Sequence, residues 1–192
     1  QYPLLALLCH FFRCTECRKT SLLEELGRRG LAGMHELARR LIQQAVHAGS
    51  TATHWQDSAQ FARRLWHAEV QRWLGLLKTA PDRAGSRPLL IDRSWVDAWV
   101  CCAMEGVEPD VDMLKDLRQG TQTCMMLLCA PWAEIYVRDA ERHQSWEAAQ
   151  HSFQLCRDAY GAFGFQVIEV PQLPLSERAD WVEALFAPRT KD

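Results

Sequence analysis

The sequence predicts an α/β domain built on a parallel sheet. Two observations carry that prediction. Short apolar runs of four to six residues recur along the whole chain, and each is followed by a stretch with helical spacing of apolar residues. Strands that are apolar on both faces and alternate with helices are the signature of a parallel sheet covered on both sides. No internal repeat and no linker long enough to divide the chain is present, so residues 1–192 are read as one domain.

The elements follow in order. Leu4 to Cys9 is a short apolar run bounded by Pro3, the pattern of a buried strand. Thr20 to Arg29 has the spacing of a helix through Leu22, Leu23 and Leu26, with Gly30 as its stop. Leu31 to Met34 is a second short strand, and His35 to His47 a helix through Leu37, Leu41, Ile42 and Ala45. Asp57 to Lys78 continues as a long helix through Phe61, Leu65, Trp66, Val70, Trp73 and Leu77. The breaker-rich stretch Ala80 to Pro88 is a surface connection. Leu89 to Asp92 is a buried strand ending in a carboxylate, and a helix follows through Trp95, Ala98, Trp99 and Cys102. Gly106 and Pro109 break that helix, and Asp110 to Arg118 is expected to add a short one. Cys124 to Cys129 is a strand ended by Pro131. Glu134 to Tyr160 is largely helical with an interruption near His143, Phe165 to Val170 is a strand, and Ser176 to Phe186 a closing helix.

Composition narrows the classes of function. With 48% hydrophobic and 24% charged residues the chain is that of a folded, soluble protein. A formal net charge of −2 gives no electrostatic case for nucleic acid or an anionic membrane as partner. No apolar run approaches the roughly 20 residues of a membrane span. Leu4 to Phe12 is too short for one, and no small-residue cleavage site follows it, so no signal peptide is expected. The eight cysteines sit mostly within apolar runs, where a free thiol packs as a small hydrophobe, and a reduced, cytoplasmic protein is expected. The tryptophans Trp66 and Trp73 belong to the helical pattern, as core or groove lining.

The chemistry concentrates where the first strand turns into the first helix. Lys19-Thr20 opens that helix, in the place where a P-loop, G-x-x-x-x-G-K-[ST], sets its lysine on the phosphates and its hydroxyl on Mg²⁺. Both glycine positions hold arginine, Arg13 and Arg18. The segment Arg13, Arg18, Lys19, Thr20 and Ser21 is therefore a nucleotide loop with altered glycines or a chance likeness. Asp92, at the carboxyl end of a strand, lies where parallel sheets bind ligands and could hold Mg²⁺ or activate a hydroxyl; alone, it reads more simply as a helix N-cap shared with Ser94. Arg138 and Arg142 stand four apart, on one helical face, able to grip a polyphosphate or to pair with Glu141 in a solvated helix. His35-Glu36 begins like a zinc-protease motif, but Arg39 occupies the second ligand position and that reading fails. Cys14 and Cys17, with Cys9 and His10 nearby, form a lone C-x-x-C that could bind metal or act in redox.

Several of these residues also fit a family pattern. Pro131-Trp132-Ala133-Glu134-Ile135-Tyr136 through Arg138-Asp139 and Glu141-Arg142 resembles P-W-x-E-I-Y-x-x-D-x-E-R, a segment of the P-loop ATPase/kinase family associated with NAD metabolism. That family is related to nicotinamide-riboside kinase domains and, more distantly, to deoxynucleoside and thymidylate kinases. Tyr160, Gly164, Glu169, Pro171, Glu177-Arg178 and Trp181 continue the resemblance, as do Glu36 with Arg39 and Asp92-Arg93 with Asp97. The resemblance implies a three-layer nucleoside-kinase-like sandwich on a five-stranded parallel sheet, binding ATP and Mg²⁺. It implies phosphate and metal roles for Lys19 and Thr20, and a metal or general-base role for Asp92 or Glu36. Arg138 and Arg142 would ride a lid over the transferring phosphate. Glu36, Arg39, Arg93 and Asp97 would meet the acceptor, a nucleoside-like small molecule.

The genetic code gives one account of the two arginines. Arg13-Cys14-Thr15-Glu16-Cys17-Arg18 can be encoded CGG TGC ACC GAG TGC CGG. The same bases read one position later, with an adenine restored in the lysine codon run, give Gly-Ala-Pro-Ser-Ala-Gly ahead of Lys-Thr, a well-formed P-loop that two compensating single-base errors would have hidden. An intact mass agreeing with the written sequence excludes that account and leaves a degenerate loop.

Overall fold

A computed structural model describes residues 5–9, 19–34, 37–53, 55–79, 88–133 and 146–187. Its strands are β1 (Leu5–Cys9), β2 (Gly33–Met34), β3 (Leu89–Asp92), β4 (Cys124–Cys129) and β5 (Gln166–Val170). Its helices are α1 (Lys19–Arg28), α2 (Leu37–His47), α3 (Ser58–Thr79), α4 (Trp95–Met104), α5 (Leu114–Leu117), α6 (Trp146–Ala162) and α7 (Leu175–Leu185). The strands form one sheet in the order β2-β3-β1-β4-β5, with every pairing parallel.

Strand alternation sends the residues of β4 to two separate cores. Met125, Leu127 and Cys129 pack with Leu22, Leu23 and Leu26 of α1 and with Ala179 and Val182 of α7. Cys124, Met126 and Leu128 pack on the opposite face with α2, α3, α4 and α6, through residues such as Ala38, Phe61, Trp73, Trp95 and Tyr160. The result is three layers, with the sheet in the middle. Both β3 and β4 are buried at every position, which is why they read as unbroken apolar runs.

Helix ends follow local chemistry. Gly30, at φ 88°, lets α1 close with Leu31 N–H donating to Leu26 O at 3.0 Å and Gly30 N–H to Gly27 O at 3.0 Å. Gly164, at φ 87°, ends α6 by the same pair of bonds, to Tyr160 O and Gly161 O. A side chain at either position would meet the left-handed backbone penalty.

The expected elements shift at their ends. The first helix starts at Lys19, one residue earlier than its apolar spacing indicates, and β2 keeps only the last two residues of Leu31 to Met34. The Asp110 to Arg118 helix shrinks to one turn, Leu114–Leu117. In that stretch only Leu117 is fully buried, and Asp110 Oδ1 instead accepts from Asp112 N–H at 3.0 Å, an Asx turn that competes with helix. Thr121–Thr123 adds a 3₁₀ turn ahead of β4. Of the Glu134 to Tyr160 helix, the part from Trp146 is described and runs on to Ala162; residues 134–145 lie outside the described residues.

The cysteines bear on the redox expectation. Cys102, Cys124, Cys129 and Cys156 are buried free thiols, and Cys101 is half-buried. Burial pushes the Cys101 thiol up to about 12 and the Cys102 thiol up to about 11, so neither is a nucleophile near neutrality. Trp66 and Trp73 are core residues, 3% and 2% exposed. Among the described residues no helix is long and apolar enough to cross a membrane.

Candidate functional site

The two central strands set the place of the site. β1 lies between β3 and β4, and α1, which follows β1, covers one face while α4, which follows β3, covers the other. Adjacent strands whose connections leave to opposite faces open a crevice at their carboxyl ends, where ligands of such sheets bind. Asp92 is the last residue of β3 and stands in register with Leu8 of β1, one residue short of that strand's end. It shares the alternation of Leu90, which packs in the core beneath α1. The carboxylate thus faces the α1 side, beside the strand end from which the chain departs toward Lys19. Lys19 and Thr20 form the first turn of α1, with Thr20 exposed and Ser21 half-buried. Arg39 is exposed on α2. Arg13, Cys14, Cys17, Arg18, Glu36, Arg138 and Arg142 lie outside the described residues.

Three of the expected site residues meet at the β3–α4 turn. Arg93 takes φ 68°, the one non-glycine residue in the left-handed region among those described. That conformation costs about 1–2 kcal/mol for an L side chain, so something must hold it. Ser94 then caps α4: its Oγ accepts from Val96 N–H at 3.1 Å, and Asp97 Oδ2 accepts from Ser94 N–H at 2.9 Å, completing a capping box. The cap shared in expectation by Asp92 and Ser94 belongs to Ser94. Asp97 Oδ2 also accepts from the Tyr160 hydroxyl at 2.5 Å, and that hydroxyl lies 2.7 Å from Ser94 Oγ. Asp97 is 6% exposed, so its carboxylate is committed to holding the turn and α6 together.

The clamp on this turn comes from α3. Arg72 Nη2 donates to Asp92 O at 3.3 Å and to Arg93 O at 2.9 Å. Glu69 Oε2 lies 2.5 Å from the same nitrogen. The two side chains thus form an ion pair that is nearly shut off from water. Glu69 is 2% exposed. Burial pushes its carboxyl up to about 7 and the negative charge of Asp97 adds to the rise, against the opposing pull of Arg72 and Arg93. Sequence spacing does not mark Glu69, Arg72 or the Tyr160 hydroxyl as parts of this site. One signal was present: Glu69 stands on the apolar stripe Leu65, Trp66, Val70 and Trp73, where a charge must have a buried partner.

The donors at the crevice suit a hard cation. A carboxylate and a hydroxyl are the oxygen ligands with which a protein holds Mg²⁺ on a nucleotide, the phosphates and water supplying the rest. Thr20 and Asp92 would hold the ion, which would neutralise phosphate charge when bound; Lys19 would take the phosphate itself. Among the described residues no group of three or more His, Cys, Asp or Glu is placed to hold a metal. A separate cleft of about 430 Å³ lies between α3 and the α4–α5 segment, lined by Arg63, Trp66, His67, Cys102 and residues 107–112, and it includes none of the residues of the crevice.

A parallel sheet with helices on both faces and a lysine–threonine pair and carboxylate at its switch point defines a P-loop NTPase type of α/β domain. The chain belongs to the AAA domain family: the family model of that description matches residues 17–178. It is accordingly a nucleotide-binding P-loop domain of the ATPase/kinase-like kind. The match opens inside the loop at Cys17, takes in Lys19, Thr20, Glu36, Asp92, Arg138 and Arg142, and leaves Arg13 outside. No curated protein and no solved structure matches the chain at a significant level.

Proposed function

We propose that the protein is a cytoplasmic P-loop kinase that binds Mg·ATP at the carboxyl edge of its sheet and transfers a phosphoryl group to a nucleoside-like small molecule, of the kind handled in NAD metabolism. The observation that carries this reading is the pairing of Leu8 with Asp92, which sets a carboxylate beside the strand that feeds Lys19-Thr20. Phosphoryl transfer needs positioning and charge neutralisation more than covalent chemistry. In this reading Lys19 neutralises the β/γ-phosphates, Thr20 and Asp92 hold Mg²⁺, and Asp92 or Glu36 accepts the proton of the acceptor hydroxyl. Arg138 and Arg142 close over the transferring group, while Arg39, Arg93 and Glu36 face the acceptor.

Calorimetric titration with Mg·ATP tests the reading. Lys19→Ala is expected to remove binding; equal affinity in the two proteins would reject the site. A panel of nucleosides and cofactor precursors then identifies the acceptor by product mass.

Arg13 and Arg18 favour a second reading, a binding module that has lost catalysis. Each arginine adds the left-handed cost of about 1–2 kcal/mol wherever the loop needs positive φ, and each crowds the phosphate. Replacing both by glycine is expected to raise Mg·ATP affinity at least about tenfold. Unchanged affinity after that replacement, together with stoichiometric zinc lost on Cys14→Ser/Cys17→Ser, would favour the metal-binding alternative.

A further inference from the structure

We propose that Arg72, twenty positions upstream of Asp92 and on a different element, is the positioning residue of the metal-binding carboxylate. The inference rests on the reading above that Asp92 takes Mg²⁺. Its basis is the pair of bonds from one guanidinium nitrogen to two successive carbonyls, Asp92 O at 3.3 Å and Arg93 O at 2.9 Å. Two successive peptide groups gripped from one atom cannot rotate independently. The peptide between Asp92 and Arg93 fixes the direction in which Asp92 leaves β3, and the one after it fixes the left-handed backbone at Arg93.

Arg72 is itself held. Glu69, one turn earlier on α3, lies 2.5 Å from the same nitrogen and is buried, so the guanidinium has its counter-charge at the atom that grips the turn. The helix that carries the pair is anchored by Trp73, whose Nε1–H donates to Leu117 O at 3.0 Å. From the other side, Asp97 and Tyr160 hold Ser94. The Asp92–Arg93–Ser94 turn is therefore fixed on both flanks, by α3 through main-chain carbonyls and by α4 and α6 through the cap. The first flank acts directly on the residue that carries the carboxylate, through its own carbonyl. A lysine in place of Arg72 would keep a charge near Glu69 and has donors enough on one nitrogen, but its shorter stem and rotatable ammonium lack the planar, pre-organised guanidinium that sets Nη2 against both carbonyls.

The test uses the full chain and reads ATP affinity by calorimetry, first in EDTA and then across a Mg²⁺ series. The variants are Arg72→Lys, the neutral pair Glu69→Gln/Arg72→Gln, Asp92→Asn, and the triple combination. A positioning role predicts metal-free ATP affinity within about twofold of wild type, since the phosphate loop is untouched. It predicts that the Mg²⁺ concentration needed for half of the affinity gain rises about tenfold or more in the neutral pair, the usual consequence of losing a residue that orients a ligand. Asp92→Asn should raise it at least as far, and the triple variant no further than Asp92→Asn alone, because both changes act on one carboxylate. Arg72→Lys should fall between wild type and the neutral pair, and it carries the test if the pair does not unfold cooperatively.

A wild-type Mg²⁺ dependence retained in the neutral pair, or in Arg72→Lys where that variant carries the test, overturns the role of Arg72 and leaves the function standing. So does a loss in the triple variant that adds to that of Asp92→Asn. ATP binding by wild type that ignores Mg²⁺, or no ATP binding at all, overturns the metal role of Asp92 and the inference with it.

Discussion

A buried carboxylate is tolerated in the fold where donors answer its oxygens, and Asp97 shows two of them. Its Oδ2 accepts from Ser94 N–H at 2.9 Å and from the Tyr160 hydroxyl at 2.5 Å, at a site where Asp97 and Tyr160 are 6% and 0% exposed. Hydrogen bonds to ionised groups contribute about 1.5–3 kcal/mol, and an orphaned buried acceptor cannot turn to water. Tyr160→Phe keeps the ring against Phe165, at 5.1 Å between centroids, and deletes only the hydroxyl. It should cost about 2 kcal/mol in urea unfolding, with the slope unchanged. A loss below about 0.5 kcal/mol would mean that the hydroxyl bond to Asp97 is not made in solution. The sequence carries the Ser94–Asp97 half of this arrangement openly, as a serine followed three residues later by an acid ahead of an apolar helix. The Tyr160 half lies 63 positions away, across the contact between α4 and α6, and no local spacing joins the two residues.

At the scale of the element, α3 was legible in its extent and not in its purpose. Its apolar spacing from Phe61 to Leu77 gives a helix whose observed ends, Ser58 and Thr79, each differ by one residue from the expected ones. What the spacing hides is that Glu69 and Arg72 turn a packing helix into a clamp. A helical stripe reports which residues face inward, whereas the partners of an inward charge come from other elements, here the turn after β3. The consequence is a pH dependence. The carboxyl of Glu69 rises from an ordinary 4.5 to about 7 in the folded protein, so the folded state binds the proton more tightly than the unfolded chain. Its contribution is therefore fully present below about pH 4.5 and is lost as pH rises through about 7. A rise of that size corresponds to about 3 kcal/mol at most. Comparing wild type with Glu69→Gln removes the other titrating groups. The stability of wild type relative to the variant should fall by up to about 3 kcal/mol between pH 4.5 and pH 8, as read from urea unfolding. A difference that stays flat over that range would mean that Arg72 keeps Glu69 ionised throughout.

For the whole molecule, alternation of apolar strands and helices foretells a parallel sheet, but the order β2-β3-β1-β4-β5 is a matter of which non-neighbouring strands pair. The strands β1, β3 and β4 are similarly apolar, so nothing in Leu89–Asp92 says that it will lie beside Leu5–Cys9. That pairing nevertheless makes the site, since it sets Asp92 against the strand that leads to Lys19. Among the described residues, the layer that carries Lys19 packs α1 and α7 on the sheet, and their contact is closed at the far end of α1 by Arg29. Its guanidinium reaches Glu25 at 2.8 Å, Asp180 at 2.5 Å and Glu183 at 3.0 Å, and its Nη2 donates to Ser176 Oγ at 3.2 Å. The cation is 22% exposed and Asp180 is 65% exposed, so water and salt screen this network. Arg29→Ala should lower the thermal midpoint, by more at low than at high ionic strength, and speed amide exchange across α1 while that of β4 stays slow. Scanning calorimetry at two salt concentrations and native-state exchange measure both effects. A midpoint unchanged at low salt would mean that Leu22, Leu23 and Leu26, each nearly fully buried against the sheet, hold α1 in place without the network.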